Sequence, residues 1–195
     1  MQVSWQSLFD AIYACQGCGL CRQIHNKVPG QGDIHARLMF IGEGPGADED
    51  MQGLAFVGAA GQLLTKMIAA MGYDREQVYI CNIVKCRPPH NRTPDPAEAA
   101  ACLPFLRQQV ALVRPRVIVL LGATAAKTLL REDFRITREH GIWEERKGVW
   151  FMPTYHPAAL LRDESKKREA WHDLQLVMQK IKELEEQDNG GHALV

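Results

Sequence analysis

Six cysteines, and a few polar residues set into apolar runs, are where this chain could do chemistry. Cys15, Cys18 and Cys21 form C-x2-C-x2-C in a Gly- and Gln-containing loop. A C-x2-C pair can set two thiolates on one metal, because the turn brings both sulfurs to the same side. Cys86 and Cys102 are separated by a Pro-rich loop and a first helical turn, which can fold back beside that pair. Cys81, inside the apolar run YICNIVK, reads as a small buried hydrophobe. Cys21 is either a third ligand or a bystander. Four thiolates suit structural zinc or a [4Fe–4S] cluster, and spacing alone does not choose.

A second cluster of chemistry follows Gly42: Gly42-Glu43-Gly44-Pro45-Gly46-Ala47-Asp48-Glu49-Asp50. Gly42, Gly44 and Ala47 satisfy the dinucleotide pattern G-x-G-x-x-A, which would make the chain a nicotinamide-dependent oxidoreductase. Pro45 and Gly46 disfavour an immediate helix, the acidic run repels a pyrophosphate, and no clean acidic ribose ligand ends the second strand. The loop reads better as bare backbone presented to a small ligand, with Glu43 or Glu49 orienting water or acting as a base. Asp48 and Asp50 read as a solvated turn. Phe56, in a Gly-flanked loop, can stack on a flat ring. Asn82 lies in an apolar strand, where an amide needs partners and can read the donors and acceptors of a base edge. His156 precedes Pro157 at the end of another apolar run.

Four β-branched runs read as strands: Arg37 to Gly42, Val78 to Lys85, Val117 to Gly122 and Val149 to Tyr155. Each is nearly continuously apolar, as strands buried on both faces are. Helical patterns run from Gly61 to Met71, Pro96 to Val113, Ala123 to Arg131 and Lys166 to Glu186, with Asp95 placed as an N-cap. This alternation predicts an α/β fold, a three-layer α/β/α sandwich around a four-stranded parallel sheet. In such folds ligands bind beyond the C-terminal strand ends. That puts weight on GEGPGADED, KCRPPHNRTP, GATAAK and YHPAALLR. Residues 1–195 read as one domain with a mobile tail from about 187.

Lys plus Arg and Asp plus Glu both number 23, so a nucleic-acid surface would have to be a local basic patch. No apolar run approaches the roughly 20 residues of a membrane-spanning helix, and the first residues lack a secretion signal. A cytoplasmic monomer is expected, in a compartment where disulfides are rare and clustered cysteines point to metal.

The segments GEGPGADED, GLAFVGAAGQLL, YICNIVKCRPPHNRTP and TYHPAALLR, with the N-terminal CQGC, together resemble the iron–sulfur, or family 4, uracil-DNA glycosylases. They run from Cys15 to Arg162 in that family's order and spacing. The resemblance implies a [4Fe–4S] cluster on Cys15, Cys18, Cys86 and Cys102, with Cys21 not required. It implies a site in which Gly44 lends backbone, Phe56 stacks on uracil, Asn82 reads the O4/N3 edge and His156 contacts O2. The substrate implied is uracil-containing DNA, single- or double-stranded, with the nucleotide flipped into the pocket. Leu160 could then fill the vacated stack or simply be buried. Arg162, Lys85, Arg87 and Arg92 could hold phosphates.

The best-known uracil-DNA glycosylases carry an Asp in the glycine loop as the water-orienting group, whereas this chain has Gly44 there. Glu43 or Glu49 must take that part, or leaving-group stabilisation must carry most of the rate. A second reading is a relative that traps uracil sites without turnover. Such relatives insert a basic loop with a nucleophilic His, and in the short RPPHNRTP segment His90 is a poor candidate for that His.

Overall fold

The computed structural model describes residues 4–190. Its centre is a set of strands buried at every position: β2 (Leu38–Gly42), β3 (Tyr79–Asn82) and β4 (Val117–Leu121). With β6 (Val149–Thr154) they form the parallel part of one sheet, in the order β3-β2-β4-β6. Alternate residues along each strand face opposite sides. Met39, Ile41, Ile118 and Leu120 therefore pack in one apolar cluster, and Leu38, Phe40, Val117 and Val119 in another.

Helices cover both clusters. Leu106 and Val113 of α4 (Pro96–Val113) and Ala125 and Ala126 of α5 (Ala123–Leu129) lie in the first. α1 (Trp5–Ala14) packs on α4 and brings Trp5 to the same side. Leu64 and Ile68 of α3 (Ala59–Ala70), with Leu174, Val177 and Ile181 of α8 (Lys167–Gly190), close the other. Burying one such side chain contributes about 1.5–3 kcal/mol. The three short helices α2 (Ala47–Gln52), α6 (Ile136–Glu139) and α7 (Pro157–Arg162) lie in the connections.

The expected α/β layering holds, but the sheet has six strands and is mixed. β1 (Gln31–Gly32) pairs antiparallel with β3, and β5 (Glu144–Arg146) with β6. These short, polar edges carry no apolar run by which a sequence could mark them, and charged residues such as Glu145 and Arg146 are typical of protected edges.

Asp95 is the N-cap of α4, and the Glu98 carboxylate accepts its N–H at 2.8 Å. The closing helix continues to Gly190, past the start of the expected tail; residues 191–195 lie outside the described residues. Near its end Asp188 pairs with Arg116 at 2.9 Å and Arg37 at 3.2 Å, the residues that lead into β4 and β2.

Candidate functional site

The parallel strands run β2, β3, then cross to β4 on the other side of β2, so the winding direction reverses between β2 and β4. Loops leaving strands at such a switch diverge and open a crevice. Here a cleft of roughly 650 Å³ opens there, and Glu43, Gly44, Phe56, Asn82, His156 and Arg162 all line it. Segments far apart in sequence thus meet at one end of the sheet.

Asn82 ends β3 with its side chain 1% exposed, and its Oδ1 has no hydrogen-bond partner among the described residues. A buried amide oxygen left unpaired costs about 1–3 kcal/mol, and here it faces a cleft that a ligand can enter. Phe56 stands beside it on a left-handed backbone, φ 53°, with its ring centroid 5.6 Å from that of His156. Gly42 permits this approach: a Cβ there would lie 2.5 Å from both Asn82 Oδ1 and Phe56 Cζ.

His156 is the N-cap of α7, and its Nδ1 accepts the Ala158 N–H at 3.1 Å. A neutral ring so bonded carries its proton on Nε2. Burial, helped by Arg162 and opposed by Glu49, pushes His156 down to about 4, so the ring is neutral at neutral pH. Gly122, at φ 90°, lets β4 pass close, since a Cβ there would sit 2.9 Å from His156 Cβ.

The two glutamates differ. Glu49 is buried, and its carboxylate accepts three main-chain N–H groups: Gly46 at 3.0 Å, Val57 at 2.8 Å and Gly58 at 2.8 Å. It clamps the glycine loop to the segment that carries Phe56. Glu43 is half-buried and accepts the hydroxyl of Thr124, at the start of α5. No sequence signal singles out Thr124 beyond its place in GATAAK at a strand end. Asp50, read as solvated, is instead 1% exposed and accepts from His25 N at 3.0 Å and His25 Nδ1 at 2.9 Å. The acidic turn is a knot tying the cleft to the loop after the first cysteines.

The DNA-facing expectations divide too. Leu160 is 2% exposed and packs with Tyr155 and Ala170, so its buried alternative is the one observed; Leu161 is 45% exposed. The helical turn of α7 reverses the two positions. Lys85 is corrected as a phosphate ligand: it is 1% exposed and its Nζ donates to Asn82 O at 2.7 Å. Arg162 is exposed on the cleft wall. Arg92 also lines the cleft, but its guanidinium is held in two bonds by Glu98, each 2.8 Å. Arg87 donates to Asn91 Oδ1 at 2.7 Å. His90 is exposed and stands outside the cleft wall that Pro88, Asn91 and Arg92 form.

On the other side of Lys85 a second cavity is ringed by Cys15, Cys18, Cys21, Cys86 and Cys102. Burial pushes the Cys86 thiol up to about 12, and its neighbours Cys102, Cys18 and Cys15 push the same way while Lys27 opposes them. Main-chain N–H groups of Gly17 and Lys85 each point at a sulfur, Cys15 Sγ and Cys102 Sγ, at 3.3 Å. Cys21 Sγ turns to Cys18 O at 3.2 Å, and Cys81 is fully buried in the strand. Among the described residues no three His, Cys, Asp or Glu side chains converge on a point as ligands of a single ion do. The thiols stand around a space instead.

The model of the uracil DNA glycosylase superfamily matches residues 29–175. A type-4 uracil-DNA glycosylase of Thermotoga maritima is 46% identical, over 80% of this chain and 82% of its own. Proteins of the same description from Pyrobaculum aerophilum and Archaeoglobus fulgidus are 42% and 45% identical, over 87% and 81% of this chain and 90% and 83% of theirs.

Proposed function

Because the chain belongs to the uracil DNA glycosylase superfamily, we propose that it is a type-4 DNA repair enzyme that hydrolyses the N-glycosidic bond of uracil in DNA and leaves an abasic site. The unpartnered Asn82 Oδ1 carries this reading. Uracil presents N3–H and O4, which match the Oδ1 acceptor and Nδ2 donor of one amide. Cytosine presents an acceptor and a donor at the same places and leaves both ends mispaired.

The nucleotide must leave the duplex stack to reach the cleft, where its ring lies on Phe56. As the C1′–N1 bond lengthens, the electron pair moves into the pyrimidine and charge grows on O2. The Nε2–H of a neutral His156 donates to that oxygen, a bond that strengthens as charge develops. Water then adds to C1′ of the oxocarbenium-like sugar, and the proton it gives up balances the charge of the departing uracil anion. Glu43, held through Thr124, orients that water, while Glu49, committed to three N–H groups, positions Phe56. Leu161 takes the place in the emptied stack first given to Leu160, and Arg162 meets a phosphate, with Arg87 and Arg92 nearer the rim.

Cys15, Cys18, Cys86 and Cys102 hold a [4Fe–4S] cluster in this reading. A cavity ringed by these thiols, with N–H groups aimed at two of the sulfurs, fits a thiolate-held cluster. Glycoside hydrolysis needs no electron transfer, so the cluster ties the N-terminal loop to α4 and supports the cleft from behind.

The enzyme acts as a monomeric single unit on single- or double-stranded DNA in the cytoplasm. No helix among the described residues is long and apolar enough to cross a membrane. Incubation with a uracil-containing oligonucleotide is expected to give alkali-labile breaks that Asn82→Ala and His156→Ala suppress; an unbroken strand with the unaltered, iron-loaded protein would overturn the reading.

A further inference from the structure

Lys85 has no place in the mechanism above, yet it is among the largest side chains fully enclosed in the protein. An ammonium removed from water is costly unless an anion faces it. Its bond goes to a main-chain carbonyl, Asn82 O, at 2.7 Å, and among the described residues it meets no carboxylate. Sulfur is also within its reach, in Cys102 of the helix that follows. Its main-chain N–H donates to Cys102 Sγ at 3.3 Å, and the residue lines the cysteine cavity. One residue thus meets a cysteine sulfur through its main-chain N–H and the backbone of the base-reading amide through its ammonium.

We infer that Lys85 is a positioning residue that couples the cysteine centre to uracil recognition: the negative charge of the thiolate-bound cluster holds its ammonium, which in turn holds the Asn82 main chain. The inference rests on the assignment of the cysteines to a [4Fe–4S] cluster. Such a core with four thiolates is a net anion in its resting state, and nearby positive charge raises its reduction potential. Lys27 is a second cation at the cavity, donating to Tyr13 O at 2.7 Å and Cys15 O at 2.5 Å, but it is remote in the chain from Asn82. The two lysines therefore separate an electrostatic effect on the cluster from an effect on the substrate.

The test compares iron-loaded protein with Lys85→Met, Lys85→Gln and Lys27→Met, measuring the cluster's midpoint potential and, separately, KM and kcat on a uracil oligonucleotide. Removing either lysine is expected to move the potential to more negative values. Only Lys85→Met is expected to raise KM strongly as well, by about tenfold, with a smaller change in kcat, since a displaced amide loses much of its grip. Lys85→Gln keeps a donor for Asn82 O without the charge, so it should show the lowered potential with KM partly restored. It carries the same measurement should Met in this buried place prevent folding. A Lys85 variant with an unaltered potential, or with KM no higher than that of Lys27→Met, overturns the inference. Unaltered protein that contains no iron and lacks the cluster's visible absorption overturns the cluster assignment itself.

Discussion

Single atoms decide most of what the cleft can do. With its pKa near 4, His156 stays neutral through the physiological range, and the rate on a uracil oligonucleotide should be flat above about pH 5 on its account. Between 4 and its ordinary 6.5 the unfolded histidine binds a proton that the folded one refuses, so stability should fall as pH drops through that window. A His156→Gln variant should lose that part of the slope in chemical denaturation at graded pH. The two glutamates offer a sharper contrast. Glu43→Gln should lower kcat about 10²–10⁴-fold with little change in melting temperature. Glu49→Gln should lower the melting temperature and raise KM, because an amide cannot accept from Gly46, Val57 and Gly58 as a carboxylate does. Single-turnover kinetics beside thermal melts would distinguish them. The spacing Gly46-x-x-Glu49, a helix-start pattern with the acid at its third position, could have shown Glu49 to be structural from sequence.

Elements fix where those atoms stand, and here sequence was legible to different depths. β2, β3 and β4 declared themselves because strands buried on both faces need unbroken apolar runs. β1 and β5 were hidden because edges need none. Leu160 and Leu161 were indistinguishable in HPAALLR, since only the phase of α7 against Tyr155 and Ala170 makes one core and the other surface. Lys85 misled for a similar reason: its basic neighbours suggest phosphate, while the bend after β3 folds its side chain back onto Asn82 O. Leu160→Ala is expected to cost about 2–5 kcal/mol of stability, as buried leucine truncations do. Leu161→Ala should leave the melting temperature alone and weaken cleavage of duplex more than of single-stranded substrate. Equal effects on both substrates would remove Leu161 from the stack. Gly42→Ala should fold yet lose uracil cleavage, because the added methyl takes the space Phe56 and Asn82 share.

At the scale of the molecule the fold has two poles. Strand C-termini gather the cleft, with the cysteine cavity backing it through Lys85. If the cysteines hold the proposed cluster, stripping iron with a chelator should lower the melting temperature and also loosen base discrimination, measured as the ratio of uracil to cytosine cleavage. At the other pole Asp188 binds the last turns of α8 to Arg37 and Arg116, where β2 and β4 begin. That ion pair has a practical meaning for anyone who handles the protein. A fluorophore, affinity handle or surface linker joined to the chain after α8 is attached at the end of the sheet opposite the cleft, which favours immobilisation with the cleft open to solution.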